Sequence, residues 1–196
     1  MGSMTRPGSA TVFVIAVVIA ATQSVTRVAT AQQNDPIVDS EAYRILSDLI
    51  PRAWAWGTTS GELVLQRETT MELKCTAGVL PEDPDWGTAV RDFREQNART
   101  RLLLEPMLLI SIPHRLISRS EIEADDARLA LKYPGLWQRR PESMEFVAVS
   151  AVGFNVSKTR AIVYVRTRSF GSMRFLERQE GKWVRSLSRS GCGWAA

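Results

Sequence analysis

The chain has 196 residues, 44% of them apolar and 23% charged, with 25 Lys and Arg against 21 Asp and Glu. That composition excludes a disordered or collagen-like protein and leaves enough chain for one domain with a real core. A single histidine excludes the two- and three-imidazole metal sites, and two cysteines far apart, with no C-x-x-C, exclude a zinc motif.

Residues 1–31 have the pattern of a secretory signal peptide. Arg6 precedes an uncharged apolar run at 11–22, and the small-residue triplet Ala29-Thr30-Ala31 follows. A basic start, a short apolar core and an A-x-A site are the features of an exported chain. The run is about a dozen residues, whereas a membrane-spanning helix needs roughly 20. An uncleaved anchor is the competing reading, and it is the one way this chain would meet a membrane. Cleavage leaves a single domain at 32–196, secreted or periplasmic.

The mature part opens on a polar lead-in. Apolar residues Ala42, Ile45, Leu46, Leu49 and Ile50 recur at helical spacing and predict a helix over 40–50, capped by Asp39 or Ser40 and stopped by Pro51. Trp54 and Trp56 follow and are expected to pack beneath it. Partial alternation over 63–73 predicts a strand that can run on to Cys75. Residues 86–98 predict a second helix with Trp86, Val90 and Phe93 on one face. Residues 107–112 read as a buried strand, although Pro106 and Pro113 bracket them. Ser120 and Glu123 match a capping box for a third helix ending before Pro134. From 146 onward, β-forming runs at 146–154, 160–167, 172–177 and 183–187 alternate with turn residues and predict an antiparallel meander. The expected class is α+β, with helices packed on one face of a curved antiparallel sheet.

Charge is unevenly distributed. Residues 32–132 hold 12 basic and 17 acidic side chains, and residues 133–196 hold 11 basic and 4 acidic. A basic C-terminal third suits an anionic partner. In an exported protein that partner is an acidic small ligand or a cell-envelope component, not nucleic acid. Alternation along 160–168 places Tyr164, Arg166 and Arg168 on one face, and Arg174 on the next strand is expected to join them. Arginine forks recognise carboxylate or phosphate bidentately. The candidate ligand site is therefore Arg166, Arg168, Arg174 and Tyr164, with Trp54 and Trp56 at the helix side.

Catalytic signals are sparse. His114 is the one candidate general base, and no G-x-S-x-G elbow, phosphate loop or G-x-G-x-x-G is present. No metal and no cofactor is implied. Cys75 and Cys192 are expected to pair in an oxidising compartment. Asn155-Val156-Ser157 is a formal glycosylation sequon.

Gly153-Phe154-Asn155, then Thr159-Arg160-Ala161-Ile162-Val163-Tyr164-Val165, then Gly181-Lys182-Trp183 resembles a pattern in exported bacterial proteins of unknown function. The resemblance implies a signal peptide and a C-terminal strand meander. Members often carry a Gly/Cys-rich turn where this chain has Thr167-Arg168-Ser169-Phe170-Gly171, without cysteine. The layout is also similar to the cystatin-like and NTF2-like cones, which host enzymes and inert binders alike. Three readings follow: a non-enzymatic binding domain for an acidic ligand, which is favoured; a hydrolase using His114 with a carboxylate; and a structural accessory protein.

Overall fold

The structure is a computed structural model that describes residues 35–57, 61–71, 84–134, 144–187 and 191–195. The expected signal segment, Cys75 and the side chain of Trp56 lie outside the described residues.

Helix α1 spans Ser40–Gly57. The Asp39 carboxylate accepts the Glu41 and Ala42 N–H groups at 2.9 and 3.3 Å, satisfying two donors that the first turn leaves open. Pro51 does not end the helix; it lies inside it. A proline there removes one backbone bond, but the apolar stripe continues past it through buried Ala53 and half-buried Trp54. Burial of that second half holds the helix together across the gap.

Strand β1 is Leu63–Gln66, shorter than expected, and helix α2 is Pro84–Gln96. The α2 stripe of Trp86, Ala89, Val90 and Phe93 is buried. Where a strand was expected at 107–112, a 3-10 turn at Glu105–Met107 leads into irregular chain, and Leu109 is 76% exposed. Pro106 and Pro113 lack the N–H donors a central strand needs. The strand comes later, as β2, His114–Ile117.

Helix α3 is Arg119–Lys132. Its capping box is Ser118 with Glu121, two residues before the expected pair: Ser118 Oγ accepts the Glu121 N–H, and Glu121 Oε2 accepts the Ser118 N–H at 2.7 Å.

The remaining strands are β3 (Ala148–Val149), β4 (Gly153–Phe154), β5 (Arg160–Arg166), β6 (Phe170–Gln179), β7 (Lys182–Arg185) and β8 (Gly193–Ala195). They form an antiparallel sheet of order β3-β5-β6-β7, with β4 also on β5 and β8 also on β6. The expected first meander strand is broken between β3 and β4. Val149 pairs with Val165 and Gly153 with Ile162, so four steps on one strand face three on the other, a β-bulge. Ser150 fills the gap: its N–H donates to the Tyr164 carbonyl and its Oγ accepts the Tyr164 N–H. The β6–β7 hairpin turns through Glu180 and Gly181 at φ 50° and 77°, the two positive values a type I′ turn requires.

Strands β1 and β2 pair in parallel, with α2 inside the long connection that such pairing demands. Backbone bonds from Gln66 N–H to the Val147 carbonyl and from Val147 N–H to the Val64 carbonyl join β1 to the chain entering β3.

The α+β class and its C-terminal antiparallel series are as expected. The layering goes further than one helical face. Ala161, Val163, Val165 and Leu176 pack with α1, whereas Ile162, Tyr164, Met173 and Phe175 pack with α2. Neighbouring residues of β5 point to opposite sides, so two helices on two faces bury both sets. Trp86 meets Phe175 edge-on at 5.0 Å. Gly153 allows this approach, because a Cβ there would overlap the Phe93 backbone.

Candidate functional site

The register of β5, β6 and β7 decides which side chains can share a site. Directly paired residues lie on the same face. Val163 pairs with Arg174, Leu176 with Arg185, and Arg178 with Trp183. Arg174, Leu176, Trp183 and Arg185 therefore point to the α1 side.

A groove of about 600 Å³ opens between α1 and this face. That lies within the range of about 300–1,000 Å³ typical of small-molecule sites. Helix α1 contributes Ile45, Leu49 and Ala53 to its floor and Arg44, Asp48 and Arg52 to its rim. The sheet contributes Val165, Leu176 and Trp183 below and Arg174 and Arg185 above, with Lys182 just after the β6–β7 turn and Val184 between Trp183 and Arg185. The floor is apolar and the rim is cationic. Asp48 is the one acid among the described lining residues, and it pairs with Arg52 at 2.7 Å.

Trp183 fixes one end. Its indole N–H donates to Glu41 Oε1 at 2.6 Å, and its ring leans on Phe154. Burial alone would raise the Glu41 carboxyl. Hydrogen bonds from Trp183 and Arg44, with the Arg44 and Arg178 charges, outweigh it and hold this carboxyl below its ordinary value. On the sheet side, burial and the nearby Arg185 charge push the Arg174 guanidinium below its usual range. Like charges are thus crowded where the groove meets β6 and β7.

Known protein families, curated proteins and solved structures contain no match to this chain.

Of the six residues expected to bind ligand, the five whose side chains are described are not gathered in one place. Arg174 lines the groove. Trp54 packs against the α1-side core without being one of the groove's lining residues. Tyr164 is fully buried on the α2 side, where its hydroxyl accepts the Trp194 indole N–H at 3.0 Å. Arg166 and Arg168 stack on Phe146, 5.4 and 5.5 Å from the ring centre. Arg168 is also tied to Asp125, Asp126 and the Met144 carbonyl. The cause is the β5–β6 hairpin. Thr167 Oγ1 accepts the Ser169 and Phe170 N–H groups and the strand restarts at Phe170, which puts Arg174 opposite Val163 and not beside Arg166.

Sequence reasoning missed Arg44, Arg52, Lys182, Trp183 and Arg185 as groove residues. One signal was present: Arg44, Asp48 and Arg52 recur at spacing four beside the stripe Ile45, Leu49 and Ala53.

His114 opens β2, with Nδ1 3.0 Å from the Ile112 carbonyl and Nε2 buried without a hydrogen-bond partner. It lines neither the groove nor a second hollow of about 610 Å³ beside α2. That hollow mixes Asp39, Asp92 and Glu95 with Arg91, Arg101 and Lys158, so it has no preferred sign of ligand. Among the described residues no group of His, Cys, Asp and Glu could hold a metal ion, and no helix is long and apolar enough to cross a membrane. Asn155 of the sequon is buried, and its amide bonds Ser157, Thr159 and Arg160.

Proposed function

We propose that this protein is an exported, non-enzymatic binding domain whose groove between α1 and strands β5 to β7 takes an acidic small ligand or envelope component. The observation that carries the reading is an apolar floor under a rim of five cations and one acid. An apolar body gains from burial, and an anionic group gains from guanidinium forks in a partly dehydrated setting.

Titration with anilinonaphthalene sulfonate, an apolar anion, against uncharged phenylnaphthylamine tests this. The sulfonate is expected to bind one saturable site at least about tenfold tighter than the neutral analogue, a difference of about 1.4 kcal/mol. Arg185→Glu, a change at an exposed position, should remove most of that difference. Equal affinity for both dyes, or no saturable binding, overturns the proposal.

Export rests on Arg6, the apolar run 11–22 and Ala29-Thr30-Ala31, with the resemblance at 153–155, 159–165 and 181–183 in support. A Cys75–Cys192 bond belongs to the same reading. No described cysteine is free, and Met71, four residues before Cys75, packs against the same buried cluster as Cys192. Intact mass of the protein from its own host, before and after reduction, is the check. A mass for 32–196, with thiols that alkylate only after reduction, is expected. An uncut chain with freely reactive thiols refutes this part.

A further inference from the structure

The groove's lining is not uniform. Ile45, Leu49, Val165 and Leu176 form an apolar floor, whereas Arg174 and Arg185 crowd the part made by β6 and β7. Leu176 pairs with Arg185, so Arg174, two residues back along β6, is its diagonal neighbour on the same face. Diagonal pairs lie about 7–8 Å apart at the backbone, within reach of long side chains. The two forks thus come toward one spot from different strands.

That geometry discriminates between oxyanions. A planar carboxylate presents two oxygens in one plane and a single negative charge for two forks to share. A tetrahedral phosphate presents separate oxygen edges to two forks at once. Charge agrees: a phosphate monoester carries about −1.5 to −2 at neutral pH, which matches two guanidiniums, while a carboxylate matches one. The lowered Arg174 guanidinium has burial as its larger cause and Arg185 as its second, and a dianion relieves both.

Resting on the groove reading above, we infer that the ligand is an amphiphile with one apolar body along α1 and a phosphate-type head seated between Arg174 and Arg185.

Calorimetry on the full chain tests this with dodecyl phosphate, dodecanoate and inorganic phosphate, the alkyl anions kept below their micelle thresholds. Dodecyl phosphate is expected to bind at least about tenfold tighter than dodecanoate, the worth of one charge-assisted hydrogen bond. Arg174→Gln and Arg185→Gln should each erase that preference while dodecanoate binding persists. Should Arg174→Gln fold poorly, Arg185→Gln at its exposed position carries the comparison alone. Equal affinity for the two alkyl anions overturns the head-group inference and leaves the groove reading standing. Inorganic phosphate binding as tightly as dodecyl phosphate means a free-oxyanion site and overturns the amphiphile. If neither alkyl anion binds, the groove reading falls as well.

Discussion

Arg168 and Arg174 are six positions apart and serve different ends. Arg168 is held by two carboxylates, a backbone carbonyl and an aromatic ring, with its side chain 20% exposed. It anchors α3 to the start of the β5–β6 hairpin, and Asp125 beneath it is only 12% exposed. Removing such a partner strands a buried carboxylate, a larger loss than the pair's net gain. Arg168→Ala is therefore expected to cost about 2 kcal/mol, because Arg128 still reaches Asp125 at 2.6 Å and softens the loss. Urea denaturation reads this directly. The folded fraction of that variant should bind anilinonaphthalene sulfonate as the parent does, since Arg168 does not line the groove. A stable variant that has lost the dye would return Arg168 to the site.

At the level of elements, the sequence announced what periodicity can announce. The α1 and α2 stripes are written as apolar residues at helical spacing, and each is buried as read except at Leu49, which is half-buried beside the groove. Strands β5 to β7 are equally plain. What was not legible depended on register. Both Ser118-Arg119-Ser120-Glu121 and Ser120-Glu121-Ile122-Glu123 satisfy the capping pattern. The choice falls to the first because β2 ends at Ile117, whose carbonyl accepts the Arg67 N–H, and the chain leaves the strand there. The cationic site was misassembled for a similar reason. A strand starting at Ser172 can be drawn with Arg174 beside Arg166; one starting at Phe170 cannot, and a one-residue slip sends every side chain to the opposite face. The groove's α1 wall was hidden by Pro51, which reads as a stop although Arg52 and Ala53 beyond it are helical. Strand β8 is one glycine, one tryptophan and one alanine, too little pattern to read. Its place follows from close approach: a Cβ on Gly171 would overlap the Tyr164 hydroxyl and the Trp194 ring.

Across the whole molecule, carboxylates join helices to the sheet, and three of them have lowered pKa values. Asp39 caps α1 and bonds Lys158 in the turn before β5, at 2.7 Å. Glu41 ties α1 to Trp183 of β7, and Asp125 ties α3 to Arg168 and the Met144 N–H. Burial raises each of these groups, but hydrogen bonds and nearby cations outweigh it and leave all three below their ordinary values of 3.8 and 4.5. The folded chain therefore holds these protons less tightly than the unfolded chain. Their stabilisation is complete above the ordinary values and is lost as pH falls through the lowered ones. Glu145 works in the opposite direction. Burial raises it, the Arg168 charge offsets only part, and one carboxylate oxygen is buried without a partner. Its ionisation weakens the fold as pH rises from 4.5 through its raised value. The urea midpoint is expected to climb from about pH 2 to about pH 4, then to ease downward as Glu145 ionises. Two variants separate the limbs. Glu41→Gln keeps an oxygen for the Trp183 indole, so it should flatten the acid limb and leave the upper one alone. Glu145→Gln should abolish the upper decline and leave the acid limb intact. An acid limb as steep in Glu41→Gln as in the parent would show that the attachment of α1 to the sheet does not depend on that charge.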